Sequence, residues 1–235
     1  MKIGLVSYEC KNKDIEYNLS QIKKAMIENN GTSDILCFGE TFLQGFVSLC
    51  WDFEIDRKIA ISQQSQTIKT LCQWTIDYNV GLITGYIEIE NEKIYSSCIV
   101  IYNGKIIHNY RRISKGWKEY YKTDFHFQEG TAVEEFSICN KKFLITLCGD
   151  LWDYPEKFKT DNILIWPIYV NFSLEKWNKI KFDYAAQSYK ASERVLVVNP
   201  IDKNPESIGG AFYFEKGKII KSSDFGKEQI LVIEV

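Results

Sequence analysis

Apolar residues follow two different spacings in the N-terminal part of this chain. Residues 3–8 form an almost continuous apolar run, which is typical of a buried strand. Across residues 14–29 the apolar positions recur at the spacing of one helix face, namely at Ile15, Leu19, Ile22 and Met26. The short apolar run at residues 34–38 then predicts a second strand. A strand, a crossover helix and another strand indicate a βαβ beginning.

Strands dominate the rest of the pattern. We predict further helices over 59–79 and 174–192. Further strands are predicted over 81–90, 93–102, 105–111, 136–139, 143–148, 163–170, 195–199, 209–214, 218–222 and 229–235. So few helices among so many strands do not fit a simple doubly wound sheet. Two sheets packed face to face with helices on their outer faces use every element. No linker or repeat interrupts the chain, so we expect a single domain over residues 1–235.

Composition and charge exclude several classes of protein. The net charge is −2 with acids and bases interspersed, so we expect neither nucleic acid nor a membrane surface as the partner. No apolar run approaches the roughly 20 residues that a transmembrane helix needs. The N-terminal residues MKIGLVSYEC have the pattern of a strand, and we expect no signal peptide there. The seven cysteines show no CxxC spacing, which favours free thiols in a reducing compartment, the cytoplasm, over a disulfide framework or a zinc site.

The strongest chemical signal is a thiol at the end of a buried strand. The stretch at residues 143–156 reads FLITLCGDLWDYPE, so the apolar run stops at Cys148 and is followed at once by Gly149. A cysteine in this position is well placed to meet a ligand. The alternative is that Cys148 is a small buried hydrophobe, as most free cysteines are.

Two further residues have the chemistry to support such a thiol. Glu40 follows the predicted strand at 34–38, and an acid that faces a cleft from a strand end can act as a general base. Lys115 lies in the long aperiodic loop at residues 114–130, where its charge could stabilise a thiolate or an oxyanion. Each could instead be an ordinary solvent-facing residue, which is the commoner situation for both types.

Taken in order, these residues resemble the nitrilase, or carbon-nitrogen hydrolase, superfamily. Its members carry a Phe-Pro-Glu phrase after the second strand, where this chain has FGE ending at Glu40. A Tyr-Arg-Lys phrase ends a later strand, where this chain has Tyr-Arg-Arg ending at Arg112. Members also carry a cysteine followed by an acid and then by Pro-Glu. This chain has Cys148, Asp150, Pro155 and Glu156 in those places. Two weaker likenesses, at residues 127–130 and 209–220, extend the resemblance over essentially the whole chain.

The resemblance implies a fold, a reaction and a set of roles. The fold is an α/β four-layer α-β-β-α sandwich of two mixed sheets. Glu40 would deprotonate Cys148, whose thiolate would attack a small amide or carbamoyl compound, less readily a nitrile, to form a thioester that water cleaves. The N–H of Gly149 and a cation would hold the oxyanion. Neither a metal nor an organic cofactor is implied, and the chain is expected to form a homodimer or a higher homo-oligomer.

One departure from the family leaves the cation open. The family's lysine falls where this chain has Arg112, and Lys115 lies slightly later in the chain. We expect Lys115 to fill the role by a shift of the loop, because a lysine has a shiftable pKa and an arginine does not exchange protons near neutral pH. The family often has a second glutamate after its lysine, for which Glu119 is the nearest match and Glu129 a weaker one.

The resemblance does not identify the substrate. The aromatic loops at residues 42–54 and 114–127 are expected to shape the pocket, with Trp51, Trp117 and Trp152 as candidate walls beside a planar or apolar group. Two other functions stay open on the same scaffold. One is an acyltransferase in which an amine replaces water, and the other is a catalytically silent binding or assembly subunit, which the arginine at position 112 keeps open.

Overall fold

The computed structural model describes residues 1–235 and contains two six-stranded sheets. The strands are β1 Lys2–Ser7, β2 Ile35–Cys37, β3 Gly81–Glu90, β4 Lys93–Tyr102, β5 Lys105–Arg111, β6 Phe136–Ile138, β7 Lys141–Ile145, β8 Ile163–Pro167, β9 Arg194–Lys203, β10 Glu206–Glu215, β11 Lys218–Ser222 and β12 Gln229–Glu234. The helices are α1 Ile15–Asn29, α2 Phe53–Asp56, α3 Gln66–Asp77, α4 Asp150–Asp153 and α5 Leu174–Tyr189, with 3₁₀ turns at Lys115–Trp117 and Pro155–Phe158.

Both sheets are mixed, and each has parallel strands at its centre. The first sheet has the order β12-β1-β2-β3-β4-β5, in which β1, β2 and β3 run parallel. The second has the order β11-β10-β9-β8-β7-β6, in which β7, β8 and β9 run parallel. The remaining neighbours pair antiparallel. Side chains that follow β2 and β7 therefore lie at the ends of buried central strands, where ligand sites of α/β sheets are usually built.

Alternation along the strands supplies two apolar faces on the first sheet. Ile3 and Leu5 of β1 belong to a core cluster shared with β7, β8 and β9, which lies between the sheets. Val6 and Leu36 point the other way, into a second cluster with α1 and α3. Because successive side chains of a strand face opposite sides, a strand buried on both faces reads as a continuous apolar run. The predicted α-β-β-α sandwich is confirmed.

Side-chain caps set the beginning of the longer helices, and one of them corrects a prediction. Ser65 accepts a hydrogen bond from the N–H of Ile68, so α3 begins at Gln66 and not at residue 59. The preceding residues are not helical because they pair with the edge of β3. The N–H of Ile61 donates to the carbonyl of Ile87 at 2.9 Å, and its carbonyl accepts from Ile89 at 3.1 Å. That pairing extends the first sheet locally and competes with a helical turn.

The second sheet is longer than predicted at one hairpin. Residues 194–203 and 206–215 pair in one register from Arg194–Glu215 to Lys203–Glu206, with Pro200 and Gly209 unpaired, whereas we predicted strands only over 195–199 and 209–214. The polar residues of this extension hid it from a search for apolar runs.

The longest helix, α5, has 16 residues, and no helix has both the length and the apolar character required to cross a bilayer.

Helix α5 is held on the second sheet mainly by Trp177, and this gives a test of the packing. Trp177 is fully buried against Tyr184, Phe212 and Phe225. Trp177→Ala should lower the free energy of unfolding by about 3–5 kcal/mol, because it leaves a large cavity. The indole N–H has no hydrogen-bond partner, so Trp177→Phe should cost clearly less. Leu174→Ala, on an exposed position of the same helix, is the control and should cost under about 0.5 kcal/mol in denaturant titrations.

Candidate active site

Cys148 lies in a sharp turn between β7 and α4. Its φ of +40° is in the left-handed region, which side chains with a Cβ rarely adopt. The turn is held by the N–H of Cys148, which donates to the carbonyl of Pro167 at 3.0 Å. The thiol is only partly exposed and donates to the carbonyl of Tyr169 at 3.6 Å. Backbone strain of this kind concentrates at functional sites, where the surrounding structure maintains it.

Glu40 is fully buried at the end of β2, and only one of its oxygens is hydrogen-bonded. Oε1 accepts from the guanidinium Nη1 of Arg112 at 2.8 Å and from the hydroxyl of Ser96 at 3.1 Å. Oε2 is buried without any partner. The next residue, Thr41, has a φ of +49°, a rare conformation for a β-branched residue. The carboxylate is thus held rigidly while one oxygen stays free to accept a proton.

Arg112 follows β5 and provides the positive charge beside Glu40. Its N–H donates to the carbonyl of Ser96 at 2.8 Å, which continues the pairing of β5 with β4 and turns the side chain inward. Its Nε donates to the hydroxyl of Ser114 at 2.8 Å. Burial lowers the pKa of Arg112, but the negative charges of Glu40 and Asp150 raise it by more, so the guanidinium remains charged.

Asp150 joins the segment that carries Arg112 to the turn that carries Cys148. This buried carboxylate accepts from the hydroxyl of Tyr110 at 2.6 Å and from the N–H groups of Ile113, Ser114 and Leu147 at 3.1, 2.7 and 3.0 Å. Burial raises the pKa of Asp150, against the lowering effect of Arg112 and these donors. One carboxylate therefore ties the end of β5 in the first sheet to the end of β7 in the second.

The electrostatics of the site keep the resting thiol protonated. Burial and, to a smaller extent, the negative charge of Glu40 raise the pKa of Cys148 to about 12, against the lowering effect of the positive charge of Arg112. A thiol in this state needs a base to become a nucleophile. Glu40, whose Oε2 has no partner, is the carboxylate whose charge acts on Cys148.

The structure does not bring Lys115 to this group. The exposed amine of Lys115 lies over the ring of Tyr120, 5.1 Å from its centroid, and the cation beside Glu40 is Arg112. The cause lies in the 3₁₀ turn Lys115–Trp117, which buries Trp117 and thereby directs Lys115 to solvent. Glu119 is likewise exposed, with its carboxylate 3.7 Å from the amine of Lys122.

Other residues named from the sequence occupy supporting positions. Trp117 is buried against Trp51 in a small cluster outside the main core. Trp152 is 40% exposed and packs edge-on against Tyr184, whose pKa is raised by burial and by Cys148. The amine of Lys118 pairs at 2.8 Å with Glu129, the weaker candidate for the second glutamate.

Sequence reasoning missed Ser96 and Ser114, which hold the buried ion pair. Ser96 alternates along β4 with Cys98 and Val100, which face the core between the sheets. A hydroxyl at an inward position of a buried strand needs a partner, and this signal could have identified Ser96. Ser114 carried no such signal in its polar loop. Nowhere do three or more His, Cys, Asp or Glu side chains group as a metal site would require.

A family model and two relatives match parts of this chain. The family model described as carbon-nitrogen hydrolase matches residues 2–152. An (R)-stereoselective amidase from a Pseudomonas species is 30% identical over 112 residues, which is 48% of this chain and 39% of that protein. A glutamine-dependent NAD(+) synthetase from Thermotoga maritima is 26% identical over 141 residues, 60% of this chain and 24% of that protein. The matches thus span well under half of either relative.

A solved structure shares the fold over nearly the full chain. A carbon-nitrogen hydrolase superfamily protein from Xanthomonas campestris superposes with a TM-score of 0.80 at 14% identity, covering 99% of this chain and 89% of that one. At this low identity the likeness shows the fold alone. The order of strands in the two sheets and the packing of the helices therefore follow a known architecture.

Glu40→Gln and Arg112→Gln should move the pKa of Cys148 in opposite directions. Glu40 raises this pKa, so its neutral variant should lower it and speed alkylation of Cys148 by iodoacetamide at pH 8. Arg112 lowers it, so its neutral variant should raise it and slow the same reaction. Mass spectrometry of each cysteine over pH 7–10 measures both rates. The exposed Cys139 is an internal control whose rate should not change. Shifts of the pKa in the same direction in both variants would contradict this electrostatic picture.

Proposed function

This chain belongs to the carbon-nitrogen hydrolase family, and we propose that it hydrolyses the C–N bond of a small amide or carbamoyl compound through a Cys148 thioester. The observation that carries the proposal is the buried ion pair of Glu40 and Arg112 beside Cys148, in which one glutamate oxygen has no partner. Its amidase relative supports an amide-type substrate. A structural ion pair would satisfy both glutamate oxygens, because an unpartnered buried carboxylate oxygen is costly.

The first half of the reaction forms the thioester. Glu40 Oε2 takes the thiol proton, and the sulfur attacks the carbonyl carbon of the substrate. The negative oxygen of the tetrahedral intermediate is stabilised by two groups that lack protein acceptors, the Nη2 of Arg112 and the N–H of Gly149. Glu40 returns the proton to the nitrogen, the C–N bond breaks, and ammonia or an amine leaves.

The second half regenerates the enzyme. Glu40 accepts a proton from water, whose oxygen attacks the thioester carbon. The same donors stabilise the second oxyanion, the C–S bond breaks, and the proton returns to the sulfur as the acid leaves. Arg112 keeps its charge throughout because a guanidinium does not exchange protons near neutral pH. The proton path then runs through Glu40 alone. The homodimer and the cytoplasmic location stay predictions.

Removal of the nucleophile tests the proposal directly. Cys148→Ala should abolish ammonia release from a panel of small amides, carbamoyl compounds and nitriles, while the melting temperature stays close to that of the unaltered chain. Glu40→Gln should also lose turnover, even though it makes the thiol more reactive toward iodoacetamide, because the base is gone. Cys139→Ala is the matched control and should retain full activity. Undiminished hydrolysis by Cys148→Ala would refute the mechanism.

A second comparison tests which cation holds the oxyanion. Arg112→Gln should lose on the order of 10² to 10³ in kcat, the usual effect of removing an oxyanion donor. Lys115→Ala removes an exposed side chain and should stay within about twofold of the unaltered chain. Both variants are measured on one substrate, with thermal unfolding as the check on folding. An inactive but folded Lys115→Ala would return the role to Lys115 and require the loop to move.

A further inference from the structure

The guanidinium of Arg112 is buried, and two of its three nitrogens are hydrogen-bonded by the protein. Nε and Nη1 are hydrogen-bonded to Ser114 and Glu40, each at 2.8 Å. Nη2 faces two glycines. A Cβ added at Gly149 would lie 2.5 Å from Nη2, and a Cβ added at Gly116 would lie 3.2 Å from it. The first distance is shorter than atoms tolerate, so a Cβ at position 149 requires the guanidinium to move; the second is tight and requires Nη2 to give by only a few tenths of an ångström.

Backbone conformation does not explain the glycine at position 149. Its φ of −67° and ψ of −16° are right-handed helical values, which every residue adopts easily. Gly116 is not among the residues with a positive φ either, so the backbone does not require a glycine there. What both glycines have in common is contact with the end of Arg112. Space for the guanidinium is therefore the physical reason for glycine at these positions.

We propose that Ser114, Gly116 and Gly149 are positioning residues that form a slot specific for an arginine at position 112. The slot orients Nη2 beside Gly149, the residue after the nucleophile, where it serves the oxyanion. This inference rests on the proposed function for the use of the slot. Its geometry is independent of the substrate. Arg112 is a planar fork whose three nitrogens each need a defined neighbour, and a lysine amine is a compact point charge without that need.

The slot predicts which pairs of substitutions are coupled. A lysine at position 112 has its nitrogen near the place of the arginine Cζ, because both side chains have the same number of atoms up to that point. A Cβ at position 149 would lie 3.6 Å from Cζ, an ordinary contact distance. Alanine at 149 should therefore displace arginine but not lysine. Ser114→Ala removes the hydroxyl that accepts a hydrogen bond from Arg112 Nε. Lysine has a carbon at that place in its side chain, which donates no hydrogen bond, so it should not be affected.

The test is a double-mutant cycle on G149A, R112K and R112K/G149A. The measured quantity is the rate of Cys148 alkylation by iodoacetamide over pH 7–10, which needs no amide substrate. G149A should slow the reaction about tenfold and move its pH profile upward, because displacement of the arginine charge raises the pKa of Cys148. In the R112K background the same change should alter the rate less than about twofold. Equal effects in the two backgrounds would overturn the slot.

A second cycle covers the case in which G149A does not fold. S114A removes only a hydroxyl, so it should fold, and it should slow alkylation in the arginine background but not with R112K. Equal effects of S114A in both backgrounds would also overturn the slot. Hydrolysis of the amide panel by the unaltered chain separates the two proposals. If the substitutions are coupled in the alkylation rate but the unaltered chain hydrolyses no amide, the proposed function is refuted and the slot is supported. If the chain hydrolyses an amide but the substitutions have additive effects on alkylation, the slot is refuted and the proposed function is supported.

Discussion

The buried ion pair of Glu40 and Arg112 is the interaction on which the site depends. Both side chains are removed from water, and the cost of desolvating two charges is repaid only when the geometry is close and further hydrogen bonds are present. Ser96 and Ser114 supply those bonds. Loss of either charge would leave the other buried and unpaired, which typically costs about 3–5 kcal/mol. Glu40 and Arg112 are therefore linked in stability as well as in chemistry.

The ion pair lies in the first sheet, whereas the nucleophile belongs to the second. Asp150 links them, because it accepts hydrogen bonds from the segment after β5 and from the turn after β7. Apolar packing between the sheets is not directional, so by itself it would not hold the end of β5 in one position relative to the end of β7. A catalytic arrangement tolerates little such shift. Four hydrogen bonds to one buried carboxylate remove this freedom.

An arginine in place of the family's lysine changes what the neighbouring residues must do. A lysine needs acceptors for a single nitrogen, whereas the guanidinium of Arg112 needs a hydroxyl at Nε, a carboxylate at Nη1 and empty space at Nη2. The substitution therefore does not by itself indicate an inactive site. The surrounding side chains accommodate the fork, and the fork keeps its Nη2 donors beside the strained turn of Cys148.

The apolar runs before Glu40 and Cys148 were enough to predict that both residues follow buried strands of a two-sheet sandwich. The sequence could not determine the cation. We expected Lys115 because its pKa can shift, but the local pattern does not show which of two residues so close in the chain faces inward. Tertiary structure decides between them, since pairing with Ser96 directs Arg112 to the core and burial of Trp117 turns Lys115 to solvent. Those contacts join residues that are distant in sequence, so no local pattern could reveal them.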